Sequence, residues 1–394
     1  MKKIGILTYH YSINDGAMLQ AYALQEVCKK LFSNVQVEMI NYESLSAKKR
    51  DFLDCFKKSG NFSSLIAYLR RFQKLSSFKE THFSFGKNRL INDNYEKCID
   101  FINQQNYDGI IVGSDEVWKI ILGANSVRKF PNVYWLNDKI KAKKFSYAAS
   151  ANKTDYKNLS SEILNFVEDS FKSYSLIGVR DYLTQTMVKN ILSKDESETN
   201  NLFKVIDPTL LIEKFEQKPI ENKLKKRGFN FSKPTVVLNL ENQKVSFATA
   251  KFFKERGWQV ISVTVYCQYA DINFVDILDP LEWASVIARC QFSVTERFHG
   301  TIFSILGKVP FISIEKNSQF DYFGTSKLKS LLEDLKLSEN MFLYKAKDFS
   351  VNSLYEKLEY ILENNDFTHI DALLNSYRQE GIEYLKKVGN SLCS

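Results

Sequence analysis

Two consecutive series of apolar strand segments alternating with helical segments dominate this sequence. The first series begins with an apolar run at 3–9, a helical pattern at 16–31 and a second apolar run at 35–42. The second series opens at 234–240 and continues the alternation to 309–314. Strands that alternate with helices build parallel sheets covered by helices on both faces. The pattern therefore predicts an α/β chain with two Rossmann-like domains.

The chain has 394 residues, which is long enough for two domains of ordinary size. The alternation is interrupted by the polar, basic segment 213–233, which is predicted to connect the domains. The predicted domains are 1–211 and 212–345. The remaining residues, 346–394, are predicted to form a helical tail that packs back across both domains, with 351–388 helical throughout.

Charge and cysteine content exclude several classes of protein. The chain carries 54 Lys and Arg residues against 46 Asp and Glu residues, a formal net charge of +8. The basic residues are scattered rather than concentrated in a stripe with interleaved aromatic residues, which argues against a nucleic-acid partner. The six cysteines lack metal-ligand or redox spacing, and no apolar run reaches the roughly 18 residues of a membrane span. These features predict a cytoplasmic protein without a metal site.

Residues 48–80 form a predicted helical stretch with a basic, amphipathic pattern. Its apolar face comprises Phe62, Leu65, Ile66, Leu69 and Phe72, and its flanking basic residues include Arg70, Arg71 and Lys74. Such a helix either packs against a sheet or another helix, or lies on an anionic membrane surface. Packing is the commoner role of a single apolar stripe, and peripheral membrane contact through 48–80 is the alternative.

Four strand-to-helix junctions are the predicted binding positions: residues 9–16, 113–118, 179–181 and 295–301. In open α/β sheets ligands bind at the carboxyl ends of strands, where helix N-termini offer amide donors and a partial positive charge. A Walker loop, HExxH, GxSxG and zinc spacing are all missing from the sequence, and GxGxxG is missing from the first strand–helix turn. The signatures of phosphate-loop hydrolases, zincins, serine hydrolases and dinucleotide oxidoreductases are therefore lacking.

The junction at 295–301 carries the most chemistry. Arg297 and His299 follow the buried-type strand FSVT and precede a helix, so a cation and a titratable imidazole lie beside a helix N-terminus. This arrangement suits a phosphate or carboxylate ligand. In the alternative without a binding function, Arg297 pairs with Glu296 and His299 caps the helix.

The first domain offers a second arginine and a possible base. Arg180 follows the strand LIGV and could complete a two-arginine clamp on an anion, or it could form a surface pair with Asp181. In the segment GSDEVW, small residues permit close backbone approach and Asp115 is a candidate base or hydroxyl acceptor. The alternative is that Ser114 and Asp115 cap a helix.

Six segments carry a recognisable pattern: ILTYHYSINDGAMLQAYALQ, YDGIIVGSDEVW, KKFSYAAS, GVRD, DPTLL and DPLEWASVIARCQFSVTERFHGTIFSILGKVPFISI. The motifs RFHG and GSD-x-VW are weak alone. In this order and spacing, the segments resemble the polysaccharide pyruvyl transferase family, from the N-terminus to about Lys329. The resemblance implies a GT-B-like fold with two Rossmann-like domains facing a cleft.

The resemblance also implies a reaction. A pyruvyl group would pass from phosphoenolpyruvate, as co-substrate and without a cofactor, onto a sugar, where it forms a cyclic ketal across two hydroxyls. The N-terminal domain would be the acceptor side and the C-terminal domain the donor side. The implied site residues are His299 and Asp115 as catalytic, Arg297, Arg180, His299 and Lys327 as donor-binding, and Asn14, Gly16, Ser114 and Glu116 at the acceptor side or cleft.

The residue types fit this chemistry. Phosphoenolpyruvate carries a phosphate and a carboxylate, which arginines and a helix N-terminus can hold. His299 would protonate the methylene carbon so that C2 becomes electrophilic, and Asp115 would orient or deprotonate the attacking hydroxyl. The family often has Asp at Glu296, Gln at Glu116 and Asn at Lys119, so the acceptor sugar does not carry over.

Two other functions remain open. One is a GT-B nucleotide-sugar glycosyltransferase, since an arginine and a helix N-terminus would also hold a diphosphate. The other is a non-catalytic binder of acidic glycans. For a pyruvyl transferase, the acceptor would belong to a capsule, an exopolysaccharide or a wall precursor, in lipid-linked, nucleotide-linked or polymeric form. A lipid-linked acceptor would favour a location at the inner face of the membrane.

Overall fold

A computed structural model describes residues 1–122, 129–192, 200–212, 219–316, 324–345 and 347–393. By its internal contacts the chain divides into two units. Unit 1 comprises Met1–Leu53, Lys79–Ile212 and Asn375–Ser394, and unit 2 comprises Asp54–Phe78 and Glu213–Leu374. The segment 54–78, which lies inside the range predicted for the N-terminal domain, therefore groups with unit 2.

Unit 1 is built on a parallel sheet. Its strands are β1 (Lys2–Leu7), β2 (Val35–Met39), β3 (Tyr42–Glu43), β4 (Leu90–Ile91), β5 (Gly109–Val112), β6 (Lys143–Ala149), β7 (Leu176–Val179) and β8 (Leu202–Lys204). Strands β3 and β4 pair with each other, and the other six form one sheet in the order β2-β1-β5-β6-β7-β8. Every pairing in this sheet is parallel, as the alternation of strands and helices predicts.

Unit 2 repeats the arrangement. Its strands are β9 (Thr235–Asn239), β10 (Gln259–Ser262), β11 (Ile272–Asn273), β12 (Phe292–Thr295), β13 (Phe311–Lys316) and β14 (Met341–Tyr344). They form a parallel sheet in the order β11-β10-β9-β12-β13-β14. The central strands β9 and β12 are buried along their whole length, which explains their uninterrupted apolar character.

The helices cover these sheets. In chain order they are α1 (Asp15–Leu31), α2 (Leu45–Lys57), α3 (Phe62–His82), α4 (Tyr95–Gln104), α5 (Ser161–Lys172), α6 (Tyr182–Leu192), α7 (Glu221–Lys226), α8 (Gln243–Lys254), α9 (Pro280–Ile287), α10 (Phe298–Leu306), α11 (Lys327–Asp334), α12 (Val351–Glu363) and α13 (Ile370–Cys393). Local signals set several starts. Asp279 and Glu282 form a reciprocal capping box at α9, with Pro280 in the first turn.

The predicted helical stretch 48–80 is two helices, α2 and α3. Its predicted apolar face is correct only in part. Leu69 and Phe72 are half-buried and pack against the cluster of Cys55, Tyr68 and Val275, whereas Phe62 is 76% exposed. The buried stripe of α3 is instead Ser64, Tyr68, Arg71, Leu75 and Phe78. This stripe includes a serine and an arginine. The positions of the apolar residues therefore predict a neighbouring face of the helix as the buried one.

Two further segments differ from expectation. The tail is not one continuous helix, because residues 364–369 separate α12 from α13. Helix α12 packs into the core of unit 2, whereas in unit 1 the Tyr384 hydroxyl of α13 donates to the carbonyl oxygen of Ser146 at 2.6 Å. The predicted connection 213–233 contains helix α7, and its residues 213–218 lie outside the described residues.

A buried carboxylate links β3 to its surroundings in unit 1. Glu43 is 1% exposed, and it accepts hydrogen bonds from the Nζ atom of Lys79 at 2.6 Å, Nη2 of Arg89 at 2.9 Å and Nζ of Lys48 at 3.2 Å. Burial acts to raise the pKa of Glu43, but Lys79 and Arg89 outweigh burial and lower it to about 2. Because the folded-state pKa is below its unfolded value, Glu43 stabilises the fold above about pH 4.5.

The substitution Glu43→Gln should lower the free energy of unfolding by about 2–3 kcal/mol at pH 7, since it leaves partly buried cations without their carboxylate. The deficit relative to the unsubstituted protein should shrink as the pH falls below about 4.5 towards 2. Urea unfolding at several pH values measures both effects. Glu339→Gln, at an exposed pair with Lys357, is the matched control and should change stability little. A pH-independent deficit would contradict the assignment.

Candidate functional site

The carboxyl ends of β1 and β5 lie side by side in unit 1, where the strand order reverses. The chain runs from β1 outward to β2 and then returns to place β5 on the other side of β1. The Thr8 hydroxyl, just after β1, donates to the carbonyl oxygen of Ser114, just after β5, at 3.1 Å. The predicted junctions 9–16 and 113–118 are thus neighbours at a switch point, the usual ligand position in open α/β sheets.

Asp115 is held in a defined backbone conformation at this point. Its φ of 82° is in the left-handed region, which costs a non-glycine residue about 1 kcal/mol or more. Two contacts fix the turn: the Ser150 amide donates to the Asp115 carbonyl at 2.9 Å, and the Glu116 amide donates to Asp115 Oδ1 at 2.8 Å. Gly113 is required beside it, because a Cβ there would lie 2.3 Å from the Tyr147 carbonyl oxygen.

Arg180 is buried and ion-paired. Its Nη1 donates to Asp207 at 2.8 Å and to Gln20 at 3.5 Å, and its Nη2 lies 3.8 Å from Asp115 Oδ1. Burial acts to lower the pKa of Arg180, but Asp207 and Asp115 outweigh it and raise the pKa. The alternative of a surface pair with Asp181 is wrong, because both residues are buried; the Asp181 carboxylate accepts hydrogen bonds from two buried hydroxyls.

The other predicted residues of unit 1 have mainly local contacts. Asn14 is the N-cap of α1, and its Oδ1 accepts from the amide of Gly16 at 3.0 Å. The Glu116 carboxylate lies 3.3 Å from Lys119. Ser114 is fully buried, and within the described ranges its hydroxyl has no hydrogen-bond partner.

In unit 2, Arg297 follows β12 and is the N-cap residue of α10. Its Nη2 donates to Glu241 Oε1 at 2.5 Å. The Glu296 carboxylate accepts instead from the backbone amides of Glu241 and Asn242 at 3.4 and 3.1 Å, and burial raises its pKa. The alternative pairing of Arg297 with Glu296 is therefore wrong. The partner Glu241 follows β9, the strand beside β12, at the switch point of this sheet.

His299 lies in the first turn of α10 and is 8% exposed. It is not the cap of the helix, because Arg297 holds that position. Gly300 allows α10 to pack directly over the strand ends: a Cβ there would lie 2.3 Å from Thr295 Oγ1 and 3.0 Å from Asn239 Nδ2. Asn239 is fully buried, and its amide atoms have no hydrogen-bond partner in the part of unit 2 that the structure describes.

Lys327 joins this group through an aromatic contact. It is the first residue of α11, and its Nζ lies 5.4 Å from the ring centre of Phe298, the residue between Arg297 and His299. The structure therefore brings three of the predicted residues together at one edge of the unit 2 sheet.

The segment 54–78 borders the same edge. Lys58 Nζ lies 4.0 Å from Glu241 Oε1. The Tyr68 hydroxyl accepts from the Tyr266 amide at 3.1 Å, and burial raises the pKa of Tyr68 while the charge of Arg297 opposes the rise. The sequence pattern alone does not predict that this segment borders the site, because its contacts are with residues distant in the chain.

The sequence also left out the acidic partners of both arginines. Asp207 and Glu241 follow β8 and β9, so the strand-end rule that selected the four junctions would have found them had it been applied to these strands. His10, which follows β1, is fully buried against the rings of Phe83 and Phe85. Burial, with Lys79, lowers its pKa to about 3, so His10 is neutral at pH 7.

The described residues provide neither a metal site nor a membrane span. Within the described ranges, no group of three His, Cys, Asp or Glu residues could hold a metal ion. Over the same residues, none of the helices combines the length and apolar composition needed to cross a bilayer.

Comparison with solved structures shows a common fold at low identity. The UDP-GlcNAc 2-epimerase from Neisseria meningitidis bound to UDP-GlcNAc aligns with a TM-score of 0.57 and 8% identity over 98% of this chain and 100% of that chain. A putative UDP-N-acetylglucosamine 2-epimerase from Listeria monocytogenes aligns with a TM-score of 0.53 and 10% identity, over 98% of this chain and 91% of that chain. The spinosyn forosaminyltransferase SpnP aligns with a TM-score of 0.50 and 10% identity over the whole of both chains. The GT-B-like fold is therefore confirmed.

Sequence comparison with curated proteins finds no match. The family model described as polysaccharide pyruvyl transferase, however, matches residues 14–318. This range spans well over half of the chain and includes all the predicted site residues except Lys327. The chain belongs to the polysaccharide pyruvyl transferase family.

Proposed function

We propose that the protein transfers a pyruvyl group from phosphoenolpyruvate to two hydroxyls of a sugar, forming a cyclic ketal. The observation that carries the proposal is the juxtaposition of Arg297 and His299 in the first turn of α10, over the carboxyl end of β12. The segment lies within the range matched by the pyruvyl transferase family.

The unit 2 site suits a small, doubly anionic donor. Arg297 has a planar fork of five N–H donors, and its contact with Glu241 engages only one terminal nitrogen. The first amides of α10 and the ammonium of Lys327 add positive potential at the same edge. A phosphate and a carboxylate can thus be held by different groups while His299 faces the enol carbon between them.

The proposed reaction begins with protonation of the donor. His299 delivers a proton to C3 of phosphoenolpyruvate, and the developing positive charge at C2 is attacked by a first sugar hydroxyl, which loses its proton to a base. The bond between C2 and the bridging oxygen breaks, and inorganic phosphate leaves with that oxygen. A second hydroxyl adds to C2 and loses its proton, which closes the ketal. One proton ends in the new methyl group and the other on phosphate.

The unit 1 groups are assigned to the acceptor. Asp115, fixed in its turn, is the proposed base or hydroxyl acceptor. Arg180 holds the strand ends together through Asp207 and lies near Asp115. We keep the predicted contact of Arg180 with the donor as part of the proposal. Because Arg180 lies near Asp115, we also assign it the role of positioning the Asp115 carboxylate.

A nucleotide-sugar glycosyltransferase is the second candidate. The observation that favours it is the shared fold with an epimerase that binds UDP-GlcNAc. The match to the pyruvyl transferase family over 14–318 favours the first candidate. Calorimetry separates them, since a donor site for pyruvyl transfer binds phosphoenolpyruvate, whereas a glycosyltransferase donor site binds a UDP-sugar.

Two variants test the donor site. Arg297→Ala should weaken phosphoenolpyruvate binding about 30-fold or more, because it removes a charge-assisted contact worth about 2 kcal/mol. His299→Ala should keep donor binding but lower turnover by a factor of about 10²–10⁴, because it removes the proton donor. Calorimetry measures binding, and phosphate release with a panel of sugars, sugar nucleotides and lipid-linked sugars measures turnover, with the ketal identified by NMR.

Arg289→Ala is the matched control, since Arg289 precedes β12 at the opposite edge of the sheet and pairs with Glu221. It should bind the donor normally. Retained pyruvylation by the Arg297→Ala/His299→Ala double variant would refute the proposal. Binding of glycan polymer without any phosphate release would favour the non-catalytic alternative.

We also propose peripheral membrane contact, with the contact surface moved from α3 to α2. On α2, Leu45, Lys49, Phe52, Leu53 and Phe56 follow one another at helical spacing and are all exposed. Exposed apolar side chains in such a continuous stripe are typical of an interaction surface rather than of an ordinary protein surface.

Charge favours an anionic lipid surface as the partner of this stripe. Lys49 lies within it and Lys57 flanks it, whereas the neighbouring Lys48 is paired with Glu43. Two basic residues of α3 are engaged elsewhere: Arg71 is buried, and Arg70 lies 3.4 Å from Asp276. With a lipid-linked acceptor, this contact would hold the enzyme at the inner face of the membrane.

The triple variant Phe52→Ser/Leu53→Ser/Phe56→Ser should reduce binding to vesicles of phosphatidylcholine and phosphatidylglycerol at least about tenfold, because three apolar side chains no longer enter the interface. Phe247→Ser, which changes an exposed phenylalanine of unit 2 that packs against Tyr269 and lies outside the stripe, should bind as the unsubstituted protein does. Co-sedimentation measures the difference. Unchanged binding would refute the contact, and so would a stripe-dependent dimer found by sedimentation in the absence of lipid.

A further inference from the structure

A pocket rich in tyrosine lies in unit 1, next to the junction that follows β1. Tyr9, Tyr11, Tyr42, Tyr95 and Tyr134 all line it. They come from the β1–α1 loop, β3, α4 and the connection between β5 and β6. None of the predicted site residues lines this pocket, so its chemistry is additional to the site already described.

The rings form a fixed wall. Tyr134 packs edge-on against Tyr9 at 4.8 Å and against Tyr42 at 5.9 Å between ring centres. The hydroxyl of Tyr11 lies 3.2 Å from that of Tyr134. Burial raises the pKa values of Tyr42 and Tyr134, so both phenols stay neutral. Tyr9, Tyr42 and Tyr134 are buried and support the wall from behind, whereas the half-buried Tyr11 and Tyr95 leave apolar ring surface accessible in the pocket.

The same pocket presents oriented polar groups. Asp93 accepts from the Ser44 hydroxyl at 2.6 Å and from the Ser46 amide at 2.8 Å, which leaves the carboxylate with further lone pairs. Arg50 donates to Asp51 through Nε at 3.0 Å and Nη2 at 2.7 Å, which fixes its guanidinium. A hydroxyl acceptor and a set of N–H donors therefore accompany the aromatic wall.

A hexopyranose matches this combination. Its ring has an apolar face of C–H groups that packs on aromatic rings, and its hydroxyls pair with fixed carboxylate and guanidinium groups. Arg50 is paired with Asp51, and the lining holds one further carboxylate, Asp93, and one further ammonium, Lys129, so the charges around the pocket sum to zero. A neutral sugar is therefore favoured over an anionic one.

The pocket also adjoins the proposed base. The Tyr9 hydroxyl donates to the carbonyl oxygen of Glu116, the residue after Asp115, at 3.4 Å. A sugar against the tyrosine wall would thus lie beside the turn that holds Asp115. Resting on the proposed function, we infer that this pocket is the subsite for a neutral hexopyranosyl unit of the acceptor.

Fluorine NMR tests the subsite in the intact chain. Uniform 3-fluorotyrosine labelling gives one signal for each of the 20 tyrosines, and single Tyr→Phe variants assign them. Methyl α- and β-glycosides of glucose, galactose and mannose should shift the signals of Tyr11 and Tyr95 saturably. Sorbitol has the hydroxyls but no ring face, so it should leave both signals unshifted. Signals of the exposed Tyr182 and Tyr360 should stay unchanged.

Variants add a kinetic measurement. Tyr11→Ala should raise the KM for the acceptor at least about tenfold with little change in phosphoenolpyruvate binding. Tyr11→Phe keeps the ring, so its KM for the acceptor should stay close to that of the unsubstituted protein. Tyr11 is only half-buried, so its replacement leaves the core in place. Tyr360→Ala is the matched control and should behave as the unsubstituted protein.

The outcomes separate this inference from the proposed function. If no glycoside of the panel gives a saturable shift, if Tyr182 and Tyr360 shift equally, or if Tyr11→Ala leaves the acceptor KM unchanged, the subsite is overturned while pyruvyl transfer can stand. If the Tyr11 and Tyr95 signals shift saturably but no bound sugar supports phosphate release from phosphoenolpyruvate, the subsite stands and the proposed reaction fails.

Discussion

The pairing of β1 with β5, and of β9 with β12, is the constraint on which the two sites depend. Each pair lies where the strand order of its sheet reverses, so two loops meet with no strand between them. The backbone hydrogen bonds of the parallel ladders fix the strand ends in register. The register of these ladders therefore determines where Asp115 and Arg297 lie.

The two arginines of the sites are held differently. Arg180 is buried with Asp207, and a buried pair of this kind contributes mainly positional definition, because desolvation offsets most of its attraction. Arg297 meets Glu241 at a half-exposed position, where the pair is weaker and a ligand can compete for the guanidinium. The exposed arginine is therefore suited to bind and release an anion, and the buried one to keep the strand ends together.

The sequence predicted the parallel α/β units and the strand-end residues, because the signals for these are local: apolar runs, helical spacing and polar residues just after a strand. It did not predict that Arg297 pairs with Glu241, because the two residues are adjacent only through the register of β9 and β12. The buried face of α3 was missed for a related reason. Tyr68 packs on Cys55 and Val275, contacts that depend on tertiary structure and not on the apolar count of the helix.

Helix α2 connects the two surfaces proposed for the acceptor. Its exposed stripe, Leu45 to Phe56, lies on one face of the helix. Ala47 and Arg50 lie on the opposite face and line the tyrosine pocket. Only the diameter of the helix, about 10 Å with its side chains, separates these faces. If both proposals hold, a helix at the bilayer surface also forms a wall of the sugar subsite, so a glycosyl unit attached to a lipid would reach the pocket without leaving the membrane. The two proposals together support a lipid-linked acceptor over a nucleotide-linked one.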